Sequence, residues 1–352
     1  MIINDVYAIG VMSGTSLDGV DLVYVRFDAT NYENFSIIHA QTVDYALAWK
    51  QLLQNSIFST KEALDNLDKV YGQFLGETIQ NFIHNHKITN IDFIASHGHT
   101  ILHQPNKGIT LQIGNGKEIA KITQQKVVCD FRTQDVALGG QGAPLVPIGD
   151  ELLFAKYDFC LNLGGFSNVS FKEGTQRIAF DICPVNIVLN HYANKIDLPY
   201  DAAGKIAAQG TVNHQLLEQL NSLAFYQTKP PKSLGLEWVQ AHVFPLLDEV
   251  ENDIPSVLST FVEHIAIQIS KIIFNNDSVL VTGGGVFNTY LMQRIQFYAS
   301  NQIDMVDKEL INFKEALVFA FLGLLKLENK INCLQSVTGA RKNHSSGIII
   351  CP

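Results

Sequence analysis

The sequence has no long apolar run, no basic stretch and few cysteines, and each absence excludes a class of protein. No run of about 18 apolar residues occurs, so no segment is predicted to span a bilayer. The net charge is −9 and no stretch rich in Lys and Arg offsets it, which argues against nucleic acid or an anionic membrane as a partner. The 5 cysteines are scattered without zinc-ligand spacing, and the N-terminus lacks the basic start of a signal peptide. These features predict a cytoplasmic protein with buried thiols.

The G-x-x-x-x-G-K-[ST] loop is also absent, which removes the commonest class of ATPase without removing ATP. The chain has instead three glycine turns that follow apolar strands, at Gly14, at Gly164-Gly165 and at Gly283-Gly284-Gly285. Any one of them is best explained as a tight turn. Three in one chain fit a nucleotide whose phosphates lie between two hairpins, with the adenosine against the third turn.

The length and composition predict an α/β protein of two domains. A chain of 352 residues, 47% apolar and 17% charged, is too long for one ordinary core and too apolar to be disordered. Apolar strands at 6–11, 20–27 and 36–43 predict an antiparallel meander, and the spacing over 61–86 predicts a long amphipathic helix. A second strand–glycine–strand unit begins at Phe159, and a repeated unit of this kind is expected if the fold arose by duplication. We place the domain boundary after residue 143, giving domains 1–143 and 144–352.

The first hairpin is the most informative stretch. Its tip, Ser13–Ser16, exposes amides and hydroxyls that suit a phosphate, but Asp18 and Asp21 are oddly placed for anion binding alone. A magnesium ion that bridges carboxylate and phosphate would resolve this conflict. The alternative is an ordinary surface hairpin with polar tips.

Eight blocks in order give the chain a nearly end-to-end resemblance to a known family. They are GVMSGTSLDGVD (10–21), SHGHT (96–100), LQIGNG (111–116), DFRTQDVALGGQGAPLVP (130–147), NLGGFSNVS (162–170), PPKSLG (230–235), TGGGVFN (282–288) and KEALVFAFLG (314–323), with SVTGA (336–340) after them. In these blocks the chain resembles the anhydro-N-acetylmuramic acid kinases, a branch of the actin, sugar-kinase and heat-shock-ATPase superfamily. The resemblance implies an actin-like, ribonuclease H-like fold of two domains with a cleft between them. It also implies ATP, magnesium, a small sugar substrate and a homodimer.

The resemblance also implies roles for individual residues. The matching positions for ATP are Gly14, Thr15, Ser16, Asp18, Gly19, Asp21, Gly164, Gly165, Asn168, Gly283, Gly284, Gly285 and Asn288, with Asp18 also assigned to magnesium. Those for the sugar are Ser96, His97, Arg132, Asn186 and Glu315.

Asp181 matches the catalytic base of the family. The implied reaction is attack of an activated water on C1 of the anhydro sugar, which frees O6 to take the γ-phosphoryl group. The family motif D-T-G-P-G-N is here Asp181-Ile182-Cys183-Pro184-Val185-Asn186, so Thr and both Gly are replaced.

Purely structural roles are the alternative to these assignments. Asp181 could cap a helix over 184–192, Arg132 could form a surface salt bridge, and Glu315 could be a first-turn acid of a helix over 313–327. His97, His99 and His103 could be read as a metal cluster, although hydrogen bonding at strand ends explains them better.

Two other functions stay open from the sequence. One is a kinase of the same fold that acts on another anhydro or amino sugar. The other is a nucleotide-binding relative without catalysis, against which Asp181, Arg132 and Glu315 count.

Overall fold

The computed structural model describes residues 5–14, 17–250, 253–273, 277–299 and 302–352. The chain divides into two compact units, which we call unit 1 (Met1–Ala155 with Phe313–Pro352) and unit 2 (Lys156–Asn312). The division differs from the boundary that the sequence suggested. It falls twelve residues later, and the last forty residues return to the first unit.

The strands follow the predicted order through both units. In chain order they are β1 Asp5–Met12, β2 Gly19–Asp28, β3 Phe35–Asp44, β4 Phe93–Ser96, β5 His99–Gln104, β6 Ile109–Ile113, β7 Val127–Cys129, β8 Phe159–Leu163, β9 Phe166–Glu173, β10 Gln176–Pro184, β11 Ser278–Thr282, β12 Gln302–Met305 and β13 Ile348–Ile350.

The helices surround these strands, and none in the described ranges is both long and apolar enough to cross a membrane. In chain order they are α1 Leu47–Asn55, α2 Lys61–Asn85, α3 Gly116–Thr123, α4 Thr133–Ala137, α5 Pro147–Leu152, α6 Asn186–Asn194, α7 His214–Asn221, α8 Leu236–His242, α9 Phe244–Val250, α10 Ile254–Ser270, α11 Thr289–Tyr298, α12 Lys308–Leu327 and α13 Gln335–Thr338.

The same strand order appears in the main sheet of each unit. In unit 1 the order is β3-β2-β1-β4-β7, with β13 added at the far edge, and in unit 2 it is β10-β9-β8-β11-β12. In both sheets the first three strands pair antiparallel, and the next two continue parallel to the first. This repetition confirms the duplication that the two strand–glycine–strand units predicted, and it is the ribonuclease H-like arrangement.

Packing explains why the division lies where it does. On α5, Asp150 forms a buried ion pair with Lys314 of α12 at 2.7 Å. A Cβ added to Gly149 would lie 2.7 Å from Val318, so α5 and α12 are in tight contact. Strand β13 pairs with β7, with Ile348 opposite Cys129. Both contacts tie the C-terminal segment to unit 1, which is why the chain must return there.

Each unit has its own apolar core. In unit 1 the long helix α2 contributes fully buried side chains such as Tyr71 and Leu75, as its predicted amphipathic pattern requires. In unit 2 the almost wholly buried α10 fills the same role, with Phe261 and Ile265 fully enclosed. The thiols of Cys129, Cys160, Cys183 and Cys333 are buried, whereas that of Cys351 is exposed.

Candidate functional site

The glycine turns occupy equivalent places in the two sheets. In unit 1 the β1–β2 turn follows the carboxyl end of β1, where Val11 pairs with Ser96 at the end of β4. In unit 2 the β8–β9 turn follows the carboxyl end of β8, where Asn162 pairs with Thr282 at the end of β11. Ligands of α/β proteins bind at the carboxyl ends of parallel strands, so the topology itself brings candidate residues together within each unit.

The first turn carries a pair of acidic side chains. Asp18 is exposed, and Asp21 accepts a 2.6 Å hydrogen bond from the Thr42 hydroxyl. Burial raises the pKa of the Asp21 carboxyl and the nearby Asp18 charge adds to that, while Thr42 opposes both. A Cβ on Gly19 would lie 2.5 Å from the Val43 carbonyl oxygen, so this glycine is needed where β2 meets β3.

The rest of the turn lies close to the end of β4. The hydroxyl of Ser13 donates to the carbonyl oxygen of Gly98 at 2.8 Å, which ties the turn to the SHG segment. Gly14 follows at the rim of the described part of the turn. Thr15 and Ser16, predicted to bind ATP, lie outside the described residues. The Ser96 hydroxyl is buried without a hydrogen bond to any described residue.

His97 orients the Arg132 guanidinium. His97 Nδ1 lies 2.7 Å from the Gly98 carbonyl oxygen, which can only accept, so Nδ1 carries the hydrogen. Its Nε2 therefore presents a lone pair, and Arg132 Nε donates to it at 2.8 Å. Burial lowers the pKa of His97 well below its usual value, and the Arg132 charge adds to this effect. A neutral His97 can thus hold Arg132 without repelling it.

A second contact fixes Arg132 from the other side. Its Nη1 donates to the Gly142 carbonyl oxygen at 2.6 Å, and the Gly142 amide donates to Asp135 Oδ2 at 2.7 Å. Arg132 Nη2 makes no hydrogen bond with a described residue, so it is available to a ligand. The surface salt bridge considered from the sequence is not formed within the described residues. Asp135 and Gly142, for which no role was predicted, therefore position Arg132. The only indication of this role in the sequence is that both residues lie in the block that contains Arg132, in DFRTQD and GGQG.

Glu315 lies inside a helix and not at its start. Helix α12 begins at Lys308, so the acidic residue of its first turn is Glu309 and the helix-dipole explanation of Glu315 was wrong. Desolvation raises the pKa of the Glu315 carboxyl, the Arg132 charge opposes this rise and the Asp21 charge reinforces it. The charges of Glu315, Arg132 and Asp21 therefore act on one region of unit 1.

In unit 2 the second and third glycine turns pack against each other. Gly283 has φ +87° and a Cβ there would lie 2.6 Å from Asn162 Oδ1. A Cβ on Gly285 would lie 2.7 Å from Leu163 Cβ, whereas on Gly284 the nearest atom is Asn186 Nδ2 at 3.9 Å. Only Gly284 thus has open space beside it, and the loop Gly283–Gly285 sits directly on the end of β8.

Three asparagines border these turns. The backbone amide of Asn186 donates to the Gly164 carbonyl oxygen at 3.2 Å, so the start of α6 is tied to the second turn. Gly165 and Asn168 are exposed there. Asn288 is buried and caps α11 by accepting from the Leu291 amide at 3.0 Å. Asn288 therefore has a structural role at the end of the third turn, beside any role toward adenosine.

Asp181 is held by a backbone amide and does not cap a helix. Helix α6 starts at Asn186 with Val185 as its N-cap residue and no side-chain cap. Asp181 Oδ2 instead accepts from the Leu234 amide at 2.8 Å, and its own amide donates to the Lys232 carbonyl oxygen at 3.1 Å. Its Oδ1 has no hydrogen bond with a described residue. Burial raises the pKa of this carboxyl, with the Leu234 N–H acting against the rise.

The loop after Asp181 accommodates the two residues that replace the family glycines without a positive φ. Neither Cys183 nor Val185 has a positive φ, and both side chains are fully buried. Strand β10 continues past Asp181 to Pro184, with a register shift between Asp181 and Cys183. Neither replacement needs a positive φ, although Val185 has an irregular backbone with φ −131° and ψ −99°, and both side chains fill the core of unit 2.

His97, His99 and His103 do not come together as a metal-ligand group among the described residues, and hydrogen bonds engage His97 and His103. His103 Nδ1 contacts the Thr110 hydroxyl at 3.2 Å. His99 is buried beside the backbone of Ser13, and burial lowers its pKa. In unit 2, Lys232 Nζ donates to the Phe225 carbonyl oxygen at 3.2 Å and lies 4.6 Å from the centre of that ring. Lys232 is thus a structural residue next to Asp181.

The sequence comparisons agree on one family. The family model described as anhydro-N-acetylmuramic acid kinase matches residues 6–352. The chain is 33% identical to the anhydro-N-acetylmuramic acid kinase of Pseudomonas syringae pv. syringae (strain B728a), over 98% of this chain and 99% of that one. It is 35% identical to the enzyme of that name from Shewanella putrefaciens (strain CN-32 / ATCC BAA-453), over 96% of each. A solved ROK family glucokinase from Streptomyces griseus aligns at TM-score 0.41 and 13% identity, over 90% of this chain and 98% of that one.

Proposed function

The chain belongs to the anhydro-N-acetylmuramic acid kinase family, and we propose that it uses ATP to convert 1,6-anhydro-N-acetylmuramic acid into N-acetylmuramic acid 6-phosphate and ADP. The observation that carries this proposal is the state of Asp181. One of its oxygens is fixed by the Leu234 amide, the other is available, and its pKa is raised. This is the arrangement of a general base that must bind and deprotonate a water molecule.

A base that acts on water is what this substrate requires. In the anhydro sugar O6 is bound to C1, so no hydroxyl is available there for an ordinary kinase reaction. In the proposed step Asp181 takes a proton from a water molecule, and the oxygen of the resulting hydroxide forms a bond to C1. The C1–O6 bond breaks, and O6 attacks the γ-phosphorus while the bond to the ADP oxygen breaks. Aligning these atoms is the main task of the protein in phosphoryl transfer.

The sugar carboxylate is assigned to Arg132. Its free Nη2 and its fixed plane, held by His97 and Gly142, suit a charged hydrogen bond to the lactyl carboxylate. Glu315, Ser96 and Asn186 are the remaining candidate sugar contacts. The Glu315 carboxyl can accept hydrogen bonds from sugar hydroxyls, and its pKa is raised by desolvation.

The nucleotide is assigned to the glycine turns and magnesium to the first of them. Asp18 and Asp21 repel each other electrostatically, and carboxylate oxygens are the ligands that Mg²⁺ prefers, so the donor set fits the ion. Asp18, which is exposed, would hold it, and the ion would neutralise charge on the phosphates. Gly164, Asn168 and the open side of Gly284 are the matching candidates in unit 2.

The experiment is turnover in water enriched in ¹⁸O. Enzyme, ATP, magnesium and the anhydro sugar are incubated, and the sugar phosphate is analysed by mass spectrometry. One heavy oxygen at C1 and none in the transferred phosphoryl group are expected. Better turnover of another anhydro or amino sugar would replace the substrate assignment. ATP binding without turnover of any sugar would favour a non-catalytic nucleotide-binding protein.

We also propose that the enzyme works in the cytoplasm, in recycling of cell-wall sugars, and as a homodimer. The homodimer follows from the family resemblance, and light scattering on the purified protein tests it. A mass of one chain, 39.1 kDa, across the working concentration range would overturn it.

A further inference from the structure

Unit 1 contains a buried group of potential metal ligands that the proposed kinase chemistry does not use. We call Asp135, Cys333 and His344 the Asp135 cluster. Their ligand atoms all lie within 4.8 Å of one another. Cys333 Sγ is 3.1 Å and His344 Nε2 is 3.6 Å from the same oxygen, Asp135 Oδ1. The three residues are exposed by only 0%, 1% and 6%.

The orientation of His344 points to a cation between these groups. His344 Nδ1 lies 3.1 Å from the Lys342 carbonyl oxygen, which can only accept, so Nδ1 carries a hydrogen. In the neutral ring Nε2 then presents a lone pair, and this buried atom has no hydrogen-bond partner among the described residues. A lone pair aimed at a carboxylate oxygen is repulsive unless a positive charge lies between them. Anchoring of Nδ1–H on a carbonyl is also how proteins orient histidines that bind metals.

We propose that the Asp135 cluster binds a divalent transition metal of the zinc class. One thiolate, one imidazole nitrogen and one carboxylate oxygen form a mixed soft and borderline donor set typical of Zn²⁺. Atoms this close can share one ion at ligand distances of about 2.0–2.3 Å after small side-chain movements. Binding displaces the Cys333 thiol proton to solvent, and a water completes the four ligands.

Such an ion would stabilise the loop that positions Arg132. Asp135 Oδ1 also accepts from the Thr338 hydroxyl at 2.7 Å, which would orient the carboxylate as an outer hydrogen bond. Asp135 Oδ2 accepts from the Gly142 amide, and the Gly142 carbonyl oxygen accepts from Arg132. Asp135 lies 198 residues before Cys333, and Cys333 and His344 share the C-terminal segment, so the ion would join the DFRTQD loop to the segment that returns to unit 1.

The test is metal content and cobalt spectroscopy of the full-length protein. We expect about one zinc per chain after purification without chelator. After removal of the metal, Co²⁺ should give visible bands of a four-coordinate ion together with a near-ultraviolet thiolate-to-cobalt band. No stoichiometric metal, and no cobalt bands on titration, would overturn the proposal.

Matched variants assign the bands to these residues. Cys333→Ser should lose the thiolate-to-cobalt band, and His344→Gln should lower the bound metal to well below one per chain. Cys351→Ser removes the exposed thiol and should leave both signals unchanged. Retention of the thiolate band in Cys333→Ser would contradict the assignment. If Cys333→Ser does not fold, X-ray absorption of the wild-type zinc must show one sulfur and two lighter protein ligands. None of these signals depends on turnover of a sugar, so they fail or succeed separately from the kinase proposal.

Discussion

Asp181 and Arg132 show how single side chains are oriented by contacts that the sequence does not reveal. The Leu234 amide holds one Asp181 oxygen, and the His97 ring and the Gly142 carbonyl hold two sides of the Arg132 guanidinium. In both cases part of the charged group stays available. Held but incompletely satisfied side chains are the expected state of a site before its ligand binds.

Asp181 should control the acidic limb of the pH profile. Because its pKa is raised, the ionised base is lost as pH falls through a value above the 3.8 of an ordinary Asp. We therefore expect kcat/KM to decline at a higher pH than an unperturbed Asp would cause. Asp181→Asn should lower kcat by about 10²–10⁴-fold at all pH values and retain ATP binding. The control is Asp197→Asn, an exposed residue with φ +59° that Asn also tolerates. Full activity of Asp181→Asn would remove the base from the mechanism.

Arg132 should act through the sugar carboxylate. Arg132→Lys loses the fixed planar donor, so KM for the anhydro sugar should rise by about 10-fold or more while KM for ATP changes little. An analogue without the lactyl group should show the same KM with both enzymes. Arg341→Lys, at an exposed position, serves as the control. An equal loss with the analogue would mean that Arg132 serves the fold and not the carboxylate. Steady-state kinetics with both sugars make the comparison.

At the scale of elements, local patterns predicted the strands and long helices well but placed their ends less accurately. The meander and α2 lie within a few residues of their predicted bounds. Helix α12 starts five residues before its predicted first residue, Phe313. Its start carries Lys308 and Glu309, which add nothing to an apolar pattern. The start is set by Asp307, whose Oδ1 accepts from the Leu310 amide at 2.7 Å.

The Gly283–Gly285 loop should tolerate a methyl group at one position only. Gly285→Ala places a Cβ 2.7 Å from Leu163 Cβ, so we expect the free energy of unfolding to fall by about 1–3 kcal/mol. In Gly284→Ala the nearest atom to the new Cβ is 3.9 Å away, so the free energy of unfolding should change by less than about 0.5 kcal/mol. Denaturant unfolding of both variants measures the difference. Equal stability of the two would show that β8 and the loop separate readily.

At the scale of the whole molecule, the chain passes through unit 1 twice. The buried pair Asp150–Lys314, the α5–α12 contact and the β7–β13 pairing all join segments that flank unit 2 in sequence. A fragment that starts at the N-terminus and ends before unit 2 therefore lacks part of the core of unit 1 and one strand of its sheet. Breaking such buried contacts leaves apolar surface and charge uncompensated.

Fragments should fold according to the observed units. We expect residues 156–312, which form all of unit 2, to unfold cooperatively when expressed alone. Residues 1–143 should not, because they lack α5, α12 and β13. Circular dichroism with thermal unfolding distinguishes the two. A cooperative transition in 1–143 would restore the sequence-based boundary.

The sequence alone determined the elements, the glycine turns and the family, because alternation, helical spacing and turn chemistry are properties of neighbouring residues. Tertiary structure decided what holds the functional groups. Leu234 reaches Asp181 across 53 residues, His97 reaches Arg132 across 35, and Cys333 reaches Asp135 across 198. These partners are chosen by packing of distant segments, and local patterns carry no record of that packing. For the same reason the return of the chain to unit 1 could not be predicted from composition near residue 143.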